Sequence, residues 1–159
     1  MRLLTTEELT RHFHERGGPG IFTKPFGDQA PVIQSRLARL LVLEPSESAA
    51  LAYFIHEYCW VVLTTERLLW QDGKRSGTLP LDRIGSVELD MYDFLRKGRM
   101  NMDTLHVVAK GKGNETHRFQ LESGPPFWGF YSALRLAVGN GGFYLSGPGE
   151  GRPGSEPSL

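Results

Sequence analysis

Residues 60–70 constrain the fold more than any other stretch. A β-branched apolar run, Trp60-Val61-Val62-Leu63, is followed by four polar residues, Thr64-Thr65-Glu66-Arg67, and by a second apolar run, Leu68-Leu69-Trp70, which Asp72-Gly73 closes with turn chemistry. Short runs of this composition fit pleated, buried strands, and their spacing predicts a hairpin. Leu51, Tyr53 and Ile55 alternate with smaller or more polar neighbours, which predicts a strand over 49–56, although Ser46-Glu47-Ser48 also reads as a helix start. Val87 and Leu89 alternate with Ser86 and Glu88 as a half-buried strand does. Residues 105–109 and 116–121 flank Lys110-Gly111-Lys112-Gly113-Asn114, whose glycines tolerate positive φ, and predict a second hairpin. Residues 90–103 show no clear period.

Helical signals sit at the two ends. Thr5 with Glu8 fits a capping box and Leu4 with Leu9 a hydrophobic staple, predicting a helix to about Arg16 that Gly17-Gly18-Pro19 ends. Residues 17–31 carry four Gly and three Pro and read as an irregular connector. After Pro31, a good first helical residue, Ile33, Leu37, Leu40 and Leu41 recur at helical spacing until Pro45 forces Glu44 out of the helix. Gly124-Pro125-Pro126 opens a further helix with an apolar face of Phe127, Phe130, Tyr131, Leu134 and Val138. Beyond Leu145 the Gly/Pro-rich sequence buries nothing and is expected to be a disordered tail.

Length and composition narrow the function classes. A chain of 159 residues, 40% hydrophobic, fits one domain with a real core. Lys plus Arg equals Asp plus Glu at 18 each, so no global field draws the chain to nucleic acid or to an anionic membrane, and any charged partner must meet a local patch. No apolar stretch approaches the roughly twenty residues of a spanning helix, and the N-terminus lacks a signal-peptide pattern, so a cytoplasmic location is expected. The lone cysteine, Cys59, has no internal partner and is expected to be a reduced core thiol.

The stretch 60–70, followed by Leu79-Pro80-Leu81-Asp82-Arg83-Ile84 and Val87, resembles bacterial pleckstrin-homology-like (PH-like) domains, which are related to GRAM domains. In that family a strand ends in Thr, a turn ends in Arg-Leu, and a later Pro-Leu-x-x-Ile leads into the next strand. The resemblance covers roughly residues 46–138. It implies a mainly β fold of the α+β class: a curved antiparallel sandwich or partly open barrel closed by the C-terminal helix. By that reading residues 1–45 form an N-terminal helical extension packed on or flanking the domain, 46–140 the PH-like domain, and 141–159 the tail. Family members bind phosphoinositides, peptides or proteins, or self-assemble, so the fold alone does not set the function. Lipid-binding members carry Lys and Arg around the first hairpin, where this chain has His56-Glu57-Tyr58-Cys59, a departure that counts against phosphoinositide binding.

No catalytic constellation, metal-ligand spacing or cofactor motif can be assembled, so no enzyme activity, metal or cofactor is expected. His12 and His14 point in different directions on a helix, and His56, His106 and His117 read as sheet histidines. Gly111-Lys112-Gly113 joins two strands and lacks the Gly-Lys-Ser/Thr ending of a phosphate loop. Three basic clusters remain as candidate anion-binding residues: Lys74 and Arg75; Arg96, Lys97 and Arg99; and Lys110 and Lys112. Met100 and Met102 follow the second of them, and all three clusters fall on predicted loops. If they met at one end of the sandwich they would form a patch for a phosphorylated or acidic ligand. The favoured expectation is a non-catalytic module working through protein contacts or self-association, with anionic lipid as the alternative partner and nucleic acid as none.

Overall fold

The computed structural model describes residues 3–97, 102–111, 113 and 115–139, with only the backbone of Asp93, Phe94 and Lys97. Arg99, Met100 and Lys112 lie outside those residues, as does the expected tail. Four helices, α1 (Thr6–Arg16), α2 (Pro31–Leu40), α3 (Met91–Lys97) and α4 (Pro125–Val138), accompany eight strands. The strands are β1 (Thr23–Pro25), β2 (Ala49–His56), β3 (Cys59–Thr64), β4 (Arg67–Asp72), β5 (Arg75–Pro80), β6 (Ile84–Leu89), β7 (Thr104–Ala109) and β8 (Thr116–Gln120). They form two antiparallel sheets, β1-β2-β3-β4-β5 and β6-β7-β8, which do not close into a barrel.

Both expected hairpins form, as β3-β4 and β7-β8. The strand alternative holds for residues 49–56. Two expectations are corrected. The connector 17–31 contains a strand: β1 pairs with β2 from Thr23 opposite Tyr53 to Pro25 opposite Leu51, so this segment extends the sheet. Buried Gln29 follows, its amide donating to the Ala52 carbonyl at 2.9 Å. Helix α2 ends at Leu40 rather than near Pro45, because Leu41 is already extended.

The larger sheet is buried on both faces. With a side-chain period of two, Leu51, Tyr53, Val61, Leu63 and Leu68 face α1, α4 and the smaller sheet, while Ala52, Phe54, Trp60, Val62 and Leu69 face Leu37 and Leu41 from the α2 region. This double burial is why β2 and β3 carry so few polar residues. Helix α1 belongs to the main core: its capping box forms as expected, and Leu9 and Phe13 are fully buried beside Phe127, Phe130 and Leu134 of α4.

The two helices meet at Gly129. A Cβ built there would lie 2.7 Å from the Phe13 carbonyl oxygen and 2.7 Å from its ring, and one on Gly17, at the end of α1, would lie 2.0 Å from the Pro125 carbonyl oxygen, so α1 and α4 approach this closely because both positions lack a side chain. Gly129→Val is therefore expected to lower stability by about 1–3 kcal/mol, the usual cost of overpacking. A urea midpoint equal to that of the unsubstituted chain would show that α1 moves aside without cost.

Residues 41–48 are held to the β3-β4 turn by a polar clamp. The Glu47 side chain is wholly buried and accepts from Arg67 Nε at 3.0 Å and Nη2 at 2.8 Å, a bidentate pair, while Arg67 Nη2 also donates to the Val42 carbonyl at 2.8 Å. Thr64 donates its hydroxyl proton to Glu47, and its oxygen accepts the amides of Glu66 and Arg67. Burial pushes the Glu47 carboxyl up, but the Arg67 and Thr64 hydrogen bonds, the Glu44 amide and the Arg67 charge outweigh it and hold it below its ordinary 4.5. A depressed carboxyl stabilises the fold above its unfolded value and loses that contribution as pH falls through the folded one. Stability is therefore expected to drop below about pH 4.5, with a shallower acid limb in Glu47→Gln. Arg67→Ala leaves a buried carboxylate without its charged partner, held only by Thr64 and the Glu44 amide, and is expected to cost about 3 kcal/mol, the low end of the range because those two donors remain and Arg67 keeps 22% of its side chain in solvent. Urea titrations at several pH values check both; a small Arg67→Ala effect at neutral pH would show that water replaces the guanidinium.

Candidate functional site

Where the two sheets cross, a cleft of about 350 Å³ opens between β8 and the hairpin ends of the larger sheet. Its floor is Tyr53, Val61 and Trp70, which share one face because they are cross-strand neighbours in β2, β3 and β4. Cys59, Asp72 and Arg75 border it at the strand ends, and all five residues of β8 line it.

Gly77 sets the floor. It pairs with Trp70 across β4 and β5, and a Cβ there would meet the indole at 2.4 Å, so the ring lies over the backbone of its neighbour. The smaller sheet packs on that ring through His117, with centroids 5.1 Å apart, and through Phe119, at 4.8 Å in an edge-on arrangement. At the other end of β8, the Glu122 carboxylate accepts the amides of Ile21 and Phe22 at 2.8 and 3.0 Å. Strand β8 thus runs across the larger sheet from β4 towards β1, anchored at both ends.

Two titratable groups of the cleft, Tyr53 and Cys59, are held in their neutral forms. Burial, and then the neighbouring Cys59, push the Tyr53 hydroxyl up to about 12. Burial also pushes the Cys59 thiol up; the Tyr53 hydrogen bond opposes this and the Asp72 charge adds to it. Half-buried Cys59 therefore stays a thiol at neutral pH, a poor nucleophile.

The sequence-derived candidates are distributed over the surface. Arg75 borders the cleft, and Lys74 precedes it in the exposed turn. Lys110 lines a different hollow with Leu79, Pro80 and Arg83, at the other end of β5. Arg96 lies on α3 with its guanidinium 5.4 Å from the centre of the Tyr92 ring. The basic clusters therefore do not share one hollow among the described residues. The histidines diverge as well: Val107 pairs with His117 and His106 with Arg118, so His106 and His117 occupy opposite faces of their hairpin, and His106 lies 3.6 Å from Asp90. No cluster of three metal-ligating side chains occurs among the described residues, and no described helix is long and apolar enough to cross a membrane.

Sequence reasoning missed the cleft because its residues span positions 53–120 and meet only through sheet crossing. Gly77 opposite an aromatic residue was the one local signal. Comparison with models of protein families, with curated proteins and with solved structures gives no match.

Cys59 is expected to react with iodoacetamide at pH 7 several-fold more slowly than a free cysteine, its rate still rising above pH 9 as the thiolate forms. A rate already saturated at neutral pH would mean that its environment favours the thiolate.

Proposed function

We propose that this chain is a non-catalytic PH-like module that works through protein contacts. Four consecutive antiparallel strands, β2 to β5, three more, β6 to β8, and then one apolar helix, α4, follow the order that the resemblance implies. The residues that carry the resemblance have structural work: Thr64 and Arg67 form the clamp with Glu47, and Ile84 is buried in the core. The observation that carries the functional reading is that the sheets remain open, with β1 and β5 as outer strands of the larger sheet and β6 and β8 of the smaller. Unpaired strand edges recruit a further strand unless something blocks them.

In β5, the bond from the Leu81 amide to the Glu66 carbonyl fixes the alternation of the ladder, so Thr78 turns its amide and carbonyl away from β4. Thr78→Pro removes that outward donor and leaves the ladder intact.

A second reading, a peripheral binder of anionic lipid, is favoured by α3, where Met91, Tyr92 and Leu95 are exposed, Leu95 by 78%, beside Arg96. The basic residues Lys97 and Arg99 follow in the sequence. Light scattering across a range of concentration separates the two. A mass above one chain, reduced by Thr78→Pro, is the expected result. A single chain at every concentration, with salt-sensitive binding to phosphatidylserine vesicles lost on changing Arg96, Lys97 and Arg99 to Ala, would replace this reading with the lipid one.

A further inference from the structure

The outer edge of β8 and the cleft beneath it form one feature. The Ala109 amide donates to the Glu115 carbonyl and the Leu121 amide to the Asp103 carbonyl. Hydrogen-bonded pairs alternate along an antiparallel ladder, so 105 with 119 and 107 with 117 are the bonded pairs between these ends. Arg118 and Gln120 therefore direct their amides and carbonyls away from β7, over the cleft and towards the hairpin ends that hold Cys59, Asp72 and Arg75. A strand laid there would continue the sheet β6-β7-β8.

The side chains say what kind of strand fits. Residues of an added strand opposite His117 and Phe119 face the apolar floor of Val61 and Trp70. A residue opposite Arg118 faces solvent beside a guanidinium with 59% of its side chain exposed and Asp90 3.7 Å to one side. Arg75, directly opposite Asp72 in the β4-β5 ladder, stands at the end of the same cleft, so each guanidinium has one carboxylate near it, Asp90 for Arg118 and Asp72 for Arg75, and the exposed part of Arg118 is free to take a further acceptor. A second copy of β8 is a poor occupant, because the antiparallel register that uses the whole strand sets Arg118 against Arg118, and like charges directly opposite destabilise a pair.

We infer that the β8 edge takes up an extended segment of a partner protein, with apolar side chains turned into the cleft and an acidic side chain opposite Arg118. This inference rests on the protein-contact reading and assigns it a site. The arrangement is strand addition, in which main-chain bonds supply affinity and alternate side chains supply specificity.

The test selects a library of random seven-residue peptides on the full chain, and a synthetic copy of the strongest binder is then measured by calorimetry. The expected binder alternates apolar residues with at least one Asp or Glu. Its affinity falls tenfold or more with Arg118→Glu, with Gln120→Pro, and with N-methylation at alternate peptide positions only. Both substitutions lie on an exposed outer strand, and an unchanged thermal midpoint establishes that each variant is folded. Absence of any enriched sequence, or a binder indifferent to Arg118→Glu and to N-methylation, overturns the inference. If a multimer sensitive to Thr78→Pro persists in that case, the protein-contact reading stands without this site; if it is absent too, both fall.

Discussion

The Glu47–Arg67 pair is the contact on which the layering of this fold depends. It fastens the chain between α2 and β2 to the turn between β3 and β4, twenty residues apart in sequence, and its third branch reaches the Val42 carbonyl just beyond Leu41. That placement keeps Leu37 and Leu41 over Phe54, Trp60, Val62 and Leu69. Without the cover, a sheet already buried on its inner face would present a second apolar face to water, and burial of apolar area is the main favourable term in folding. A buried ion pair is seldom a strong source of net stability, because desolvation offsets the attraction. Its contribution here is geometric: few other side chains than Arg can hold a carboxylate with two parallel donors and still reach a backbone carbonyl.

The two-sided burial of the larger sheet has a consequence for the smaller one. With one face of the large sheet taken by α2, the other must accommodate α1, α4 and the smaller sheet together. Helices α1 and α4 fit because Gly129 allows close contact, and the smaller sheet reaches the large one at Trp70, whose indole lies flat over Gly77. Val87, Leu105, Val107 and Phe119 of the smaller sheet share the main core with Leu51, Val61, Leu63 and Leu68 of the larger, and the cleft opens beside that contact, between β8 and the hairpin ends.

Much of this was legible in the sequence, and what was not has a common cause. The two apolar runs in 60–70 with polar residues between them, and the Gly-rich tip after Ala109, identified two hairpins, since a hairpin is a local structure with local signals. Thr5 with Glu8 marked the first helix for the same reason. Strand β1 gives no strand signal of its own, because Thr23-Lys24-Pro25 is too short and too Pro-rich; it is a strand only because β2 is beside it. Strand β5, Arg75-Ser76-Gly77-Thr78-Leu79-Pro80, has weak strand composition and is held by its pairing with β4. Glu47, between two serines, reads as a surface residue until Arg67 is brought to it. The basic residues Lys74, Arg75, Arg96 and Lys110 were visible as types, but whether they share a hollow depends on strand crossing, which periodicity does not encode.

The outer strands show how one chain can keep open edges without uncontrolled pairing. Strand β1 ends in a proline and spans three residues, too little for a stable ladder. Strand β5 ends at Pro80 and has a glycine at its centre, so its open backbone is confined to a short stretch around Thr78. Strand β8 has neither device. Its centre carries Arg118, and a charge on an edge strand repels an identical edge while leaving the backbone groups exposed to a strand of opposite charge. In the proposed strand addition, the residue that disfavours pairing of β8 with its own copy is also the one that selects the partner. A strand edge limited by brevity offers too few bonds to any partner, whereas one defended by charge remains open to a complementary segment.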